Sequence, residues 1–197
     1  MIKIFKKICK YDSIIFDLDN TLISLTKYDI LVFKYLCHCL IKDTVDRNKI
    51  YKKLIKLRKQ EILSKKRKFI FNKFFFNKDL NLAKKIYNTY FPPAFKINKI
   101  NLMILKKLKN KNKNIYLVTN GHKIRQSMKI YNLKIKNFFN YIYILDGKIK
   151  KFKPSVLSVS SLKKKIKNQK TVMIGDNIID EKFAKNLKVK YIKYITT

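Results

Sequence analysis

The sequence is short of nearly everything that staples, bends or softly ligates a chain: three glycines, three prolines, three cysteines, two histidines and no tryptophan among 197 residues. Cys9, Cys37 and Cys39 are odd in number and form no C-x-x-C pair, which argues against both a disulfide framework and a zinc knuckle. With only His38 and His122, no His/Cys cluster exists for a soft metal site. There is no Gly/Ser-rich linker and no internal repeat. No apolar run approaches the roughly 18 residues of a membrane span, and the opening MIKIFKKICK is too short and too broken by lysine for a signal peptide, so the chain reads as cytoplasmic with no membrane partner.

Acidic residues and arginine are scarce as well. Twelve Asp and Glu face 48 Lys and Arg, giving a formal charge of +36, and of the basic residues only Arg47, Arg58, Arg67 and Arg125 are arginine. A chain this basic is by default a candidate for nucleic acid. Arginine, the residue suited to bidentate readout of phosphates and bases, is nearly missing, and the lysines are spread along the chain with abundant Asn, Ile, Phe and Tyr. That pattern favours codon drift over a binding face. Nucleic-acid binding, or action on polynucleotide ends, stands as the alternative.

The chain is 47% hydrophobic, enough for one domain with a modest insertion. Residues 13–18 (SIIFDL) form a short apolar run ending in carboxylates, and 115–119, 141–145, 171–175 and 189–194 look alike. Helical spacing fills 98–109, 123–133, 155–167 and 180–187. This alternation predicts an α/β, Rossmann-like, mostly parallel sheet with helices on both faces and a ligand site at the carboxyl ends of the strands. Residues 23–95 break the rhythm: Tyr28, Leu31, Val32, Tyr35, Leu36, Cys39 and Leu40 share one helical face, 47–64 and 79–91 continue as helices around the aromatic run 69–76, and Pro92-Pro93 closes the segment. The expected organisation is a core of 1–22 with 96–197, carrying a helical insertion at 23–95. The face around Tyr28–Leu40 serves as a stripe inside that insertion or as a dimer contact, so monomer and homodimer both stay open.

Four clusters fall at predicted strand ends. Asp17-Leu18-Asp19-Asn20-Thr21 places two carboxylates two apart after IIF. Thr119-Asn120-Gly121 offers a hydroxyl and free N–H groups where a strand opens into a helix, a phosphate cradle or a simple helix cap. Lys153-Pro154 precedes a helix, and a lysine in so lysine-rich a chain is informative only by its place. Gly175-Asp176-Asn177-Ile178-Ile179-Asp180 follows a strand with carboxylates four apart. A third of all acidic residues thus sit in two short stretches, and hard oxygen ligands without His or Cys suit Mg²⁺.

In this order, DLDNT, TNG, KP and GDNIID resemble the haloacid dehalogenase superfamily across nearly the whole chain outside the insertion. The insertion is similar to the helical C1 cap of its subfamily I, and VTNGHKIRQSMKIYNLKIKNFF with KPS and IGDN resembles nucleotidase-like and sugar-phosphatase-like members. The resemblance implies a Mg²⁺-dependent phosphatase acting on a small phosphorylated substrate. Asp17 would be the nucleophile and Asp19 the acid and then base. Thr119, Asn120 and Lys153 would hold the phosphoryl oxygens. Asp17, Asp19 through its backbone carbonyl, and Asp176 would hold the metal, with Asp180 supporting the site from its edge. Dehalogenases of the superfamily resemble D-x-Y where this chain has D-x-D, which leaves phosphatase or phosphomutase, beside a non-catalytic scaffold. Lys27, Tyr28, Arg58 and Arg67 are expected candidates for reading the leaving group, His38 is expected in packing and His122 as a substrate contact. Phe183 and Lys188 stand where glycine is frequent in relatives.

Overall fold

A computed structural model describes residues 3–64, 70–147 and 151–196. In chain order its elements are α1 (Lys3–Ile8), β1 (Ser13–Phe16), α2 (Leu25–Leu40), α3 (Thr44–Ser64), a 3-10 turn (Ile70–Lys73), α4 (Asn77–Thr89), α5 (Lys99–Asn110), β2 (Asn114–Asn120), α6 (Lys123–Asn132), β3 (Tyr141–Leu145), α7 (Ser160–Ile166), β4 (Thr171–Gly175), α8 (Ile178–Leu187) and β5 (Lys190–Lys193). The chain divides into two compact units, Leu25–Phe95 and the remainder, Met1–Ser24 with Lys96–Thr197. No helix among the described residues is long and apolar enough to cross a membrane.

The larger unit is built on one parallel sheet of order β3-β2-β1-β4-β5. Parallel strands need crossover connections, so helices cover the faces and the central strands are apolar on both sides. All four residues of β1 are buried, as are all five of β4. Along each strand alternate side chains point to opposite faces. Ile15, Tyr116, Val118 and Met173 therefore join Leu162 and Ile166 of α7 and Phe183, Ala184 and Leu187 of α8 in one buried cluster. Phe183 is fully buried there, so a large ring fills the space beneath α8. The chain moves outward from β1 to β2 and β3, then returns to lay β4 on the other side of β1. That reversal opens a crevice at the carboxyl ends of β1 and β4, where such sheets bind ligands.

Glycine scarcity leaves its mark at the turns. Six described residues other than glycine have positive φ; four are Asn, which tolerates that region, and two are lysines, Lys134 (φ 54°) and Lys188 (φ 58°). Lys188 ends α8 in the left-handed conformation, its N–H donating to the carbonyls of Ala184 and Lys185. Glycine is the usual residue for this cap because it has no Cβ to clash. Lys134→Gly and Lys188→Gly are each expected to stabilise the protein by about 0.5–1 kcal/mol, the relief of left-handed strain less the entropy of an added glycine. Thermal denaturation checks it, with Tm rising by roughly 2–8 °C for the pair.

The helical unit has its own core of Phe33, Leu36, Cys37, Leu54, Ile70, Phe71, Phe75 and Ala83. Its first helix is rotated from the expected face: α2 buries Tyr28, Asp29, Val32, Phe33, Leu36 and Cys37, while Tyr35, His38 and Cys39 are exposed. The cause is a polar pin. Arg58 of α3 donates from Nε to Asp29 Oδ2 at 2.7 Å, and Tyr87 of α4 donates to Asp29 Oδ1 at 3.1 Å, so a buried carboxylate ties three helices together. A helix turned to bury Asp29 also buries positions 33 and 37 and carries His38 to the surface, against the packing role expected of it. Tyr28 is fully buried against Phe95, and its hydroxyl donates to the Tyr90 carbonyl at 3.0 Å.

Candidate active site

Each strand of the crevice delivers one part of the site. The Asp17 N–H still donates to the Ile174 carbonyl at 2.9 Å, so the residue after β1 keeps the register of the sheet beside β4. A tight loop follows, with Leu22 N donating to the Leu18 carbonyl and Asn20 N to that of Ile23. It is pinned by buried Asn101, whose side-chain amide donates to the carbonyls of Thr21 and Leu22. Three residues beyond β1, this loop carries Asp19.

Asp17 is only 6% exposed, and Lys153 reaches it from the far side of the crevice. The Lys153 ammonium donates to Asp17 Oδ1 at 2.5 Å, to Asp180 Oδ1 at 2.5 Å and to the Val118 carbonyl at 3.0 Å. Its backbone is held by Asn120, whose side-chain oxygen accepts from Lys153 N at 2.8 Å. Burial favours a neutral Lys153, but Asp17 and Asp180 more than reverse that and keep the ammonium charged. Burial also drives the Asp17 carboxyl well above the usual range. Lys153 opposes this without cancelling it, and Asp180 and Asp19 add to it.

Carboxylate oxygens of Asp17, Asp176 and Asp180 lie within 4.8 Å of one another. Burial, then the charge of Asp180, lift Asp176 to about 6. Asp180 Oδ2 is buried without a hydrogen-bond partner among the described residues. Three crowded carboxylates, two of them reluctant to ionise and one with an orphaned oxygen, fit a hard divalent cation such as Mg²⁺. Asp180, expected at the edge, is inside this cluster, whereas the Asp19 carboxylate is outside it and engaged elsewhere.

Asp180 gets there through close packing. Asn177 caps α8, its side chain accepting from Ile179 N and Asp180 N, and Gly175 lets the first turn of that helix press onto β4. A Cβ at Gly175 would lie 2.4 Å from Asp180 Cβ and 2.5 Å from its Oδ2. Gly175→Ala is therefore expected to push Asp180 off Lys153, costing about 1–3 kcal/mol of stability and lowering thermal midpoint and turnover together. Tyr191 of β5 clamps the same turn, its hydroxyl donating to the carbonyls of Gly175 and Asn177 at 3.0 and 3.2 Å.

Asp19 is held from α6. Lys129 donates to Oδ1 at 2.7 Å and Gln126 to Oδ2 at 3.0 Å, and the Gln126 amide also reaches Thr119 Oγ1 at 2.7 Å and the Asn120 carbonyl at 3.1 Å. Burial raises the Asp19 carboxyl, but Lys129, Arg125 and Gln126 outweigh it and hold the group below the usual carboxylate range. The structure thus brings Asp17, Asp19, Thr119, Asn120, Lys153, Asp176 and Asp180 to one crevice. His122 is exposed at the start of α6 and Lys27 is exposed on α2. Arg58 and Tyr28 are spent inside the helical unit, and Arg67 lies outside the described residues.

Gln126, Lys129 and Tyr191 were not legible as site residues. For the first two a signal existed: 126, 129, 130 and 133 recur at helical spacing, so a polar residue at 126 or 129 lies on the stripe that a solvent-facing helix would fill with apolar side chains. Tyr191 carried none, since its partners are set by the pairing of β5 with β4.

No curated protein matches the chain in sequence. Among solved structures it is similar to the magnesium-bound HAD-hydrolase YfnB from Bacillus subtilis, at 18% identity and TM-score 0.68, covering 92% of this chain and 85% of that one. A HAD-superfamily hydrolase from Ehrlichia chaffeensis aligns at 20% identity and TM-score 0.57, over 93% and 92%. The L-2-haloacid dehalogenase from Xanthobacter autotrophicus aligns at 13% identity and TM-score 0.57, over 92% and 76%. These likenesses show the fold. The model of the haloacid dehalogenase-like hydrolases matches residues 14–194, and the chain belongs to that family.

Proposed function

We propose that this hydrolase is a Mg²⁺-dependent phosphatase that cleaves a small phosphomonoester, of the nucleotide or sugar-phosphate class, through a phosphoryl group carried on Asp17. The observation that carries this reading is the second carboxylate: Asp19 follows Asp17 by two residues and is held by two donors outside the acidic cluster, where it is available for proton transfer. A reaction that expels halide needs no such group.

In the first displacement an Asp17 oxygen attacks phosphorus, the bond to the leaving oxygen breaks, and Asp19, which Lys129, Arg125 and Gln126 keep ionised in the free protein, relays to that oxygen a proton brought by the phosphomonoester monoanion. In the second, water attacks the aspartyl-phosphate, Asp19 takes the proton of the water, and the Asp17 carboxylate leaves. Lys153 offsets the charge of Asp17 and, with the Thr119 hydroxyl and the Asn120 N–H, meets the phosphoryl oxygens. Asp17, Asp176 and the Asp19 carbonyl would hold Mg²⁺, with Asp180 beside them. When bound, the ion supplies positive charge that lets an anionic nucleophile approach an anionic substrate. We assign choice of leaving group to the helical unit Leu25–Phe95, inserted in the chain between β1 and α5 as a C1-type cap.

The test is phosphate release from a panel of nucleoside monophosphates, sugar phosphates and simple phosphoesters, with Mg²⁺ and with EDTA. Release that needs Mg²⁺, together with a rise in thermal midpoint on adding the ion, is expected. No release across the panel, or release indifferent to EDTA, contradicts the reading.

A further inference from the structure

We infer that Lys129, assisted by Gln126, is a positioning residue for Asp19: α6 brackets both oxygens of that carboxylate and fixes the direction in which it transfers protons. The inference rests on the phosphatase reading above and deepens it.

Burial singles out these residues. The chain is rich in lysine, yet among the described residues only Lys129 and Lys153 are buried, Lys129 completely. Taking an ammonium out of water is costly unless it is paired, and a leucine or methionine at that position of an amphipathic helix would carry no such cost. Of the charged side chains buried in the larger unit, Asp17, Lys153 and Asp180 pair with one another, and Lys129 pairs with Asp19, whose side chain is 18% exposed. The buried cation is therefore matched to an acidic side chain that stays partly open to solvent and lies outside the cluster of Asp17, Asp176 and Asp180.

Gln126 completes the bracket and fixes its aim. Its amide donates to Asp19 Oδ2, to the Thr119 hydroxyl and to the Asn120 carbonyl, which ties the loop after β1 to the end of β2. Gly121 has its ideal Cβ position 3.1 Å from the Gln126 side chain, so the turn into α6 has room for that side chain because position 121 lacks a Cβ. An aspartate on a loop would otherwise sample several rotamers. With a donor on each oxygen, one remains. Effective proton transfer needs the group within about 0.5 Å of its productive place, which packed second partners supply.

A positioning role predicts a dependence on the leaving group that a purely structural role does not. An alkyl phosphate releases an alkoxide that must be protonated as the P–O bond breaks, whereas p-nitrophenyl phosphate releases a phenolate that leaves as the anion. In Lys129→Met, kcat/KM, which covers the steps up to departure of the alcohol, is expected to fall about 10²-fold for an alkyl phosphate, the lower range for loss of an acid–base contribution. For p-nitrophenyl phosphate it should stay within about 3-fold, while kcat falls because Asp19 must still activate water, so one equivalent of nitrophenolate appears as a burst. In an Asp19→Asn background, Lys129→Met should add no further loss on the alkyl phosphate, because the two act as one unit.

Equal losses in kcat/KM on the two esters, or losses that multiply in the double variant, would overturn the inference while leaving the phosphatase reading intact. Absence of turnover in the wild type would overturn both. If Lys129→Met does not fold, Gln126→Met removes the donor to the other oxygen and carries the same leaving-group prediction, with equal losses again counting against it.

Discussion

Asp17→Asn abolishes phosphate release, by on the order of 10⁴-fold or more, the scale on which removal of a nucleophile is felt when the rest of the site survives. The amide is the same size as the carboxylate and can still meet Lys153, but its neutral atoms do not attack phosphorus. The protein should meanwhile be no less stable than the parent. Burial pushes the Asp17 carboxyl well above its ordinary range, so the folded protein holds that charge at a cost, which an uncharged residue removes. Phosphate release and thermal denaturation of the metal-free protein, measured side by side, check both halves. A variant that loses activity only because it unfolds would not support the assignment.

Lys153→Met is expected to fail differently, losing stability and activity together. Its ammonium lies 2.5 Å from an oxygen of Asp17 and from one of Asp180, in a setting where Lys153 is only 5% exposed. Removing it leaves two buried carboxylates facing each other without a cation. Breaking a buried pair from one side costs about 3–5 kcal/mol, a drop in Tm of roughly 6–20 °C for a chain of this size. Loss of a donor to the transferring phosphoryl adds about 10²–10³-fold in kcat. Lys151→Met, two residues away and exposed, should change neither, which separates the role of Lys153 from the general lysine charge of the chain.

Much of the fold could be read because a parallel sheet writes a plain signal. Its central strands are buried on both faces, so SIIF, IYLVT and TVMIG appear as short apolar runs, each stopped by polar residues at the sheet edge. Asp17, Thr119, Asn120 and Asp176 were visible for the same reason, since they sit where those runs stop. Lys153 had no local signature at all and was found by its order relative to the other motifs. What stayed hidden is what depends on a partner far away in sequence. The inward turn of α2 follows from Asp29 meeting Arg58 and Tyr87, and no apolar periodicity encodes that ion pair. Arg58 looked available for substrate because a cation on a helix face carries no mark of the carboxylate it will meet. Asp180 seemed peripheral because the sequence gives no measure of how closely α8 approaches β4. That distance is set by the missing side chain of Gly175.

The most direct test of the account is where the phosphoryl group goes. The full-length protein is mixed with Mg²⁺ and a turned-over phosphomonoester, quenched in acid within one turnover, digested and mapped by mass spectrometry. The account predicts a gain of one phosphoryl group on the peptide containing Asp17, discharged on longer incubation and missing in Asp17→Asn. Turnover with no phosphoryl-peptide, or with the group on any residue other than Asp17, would contradict it.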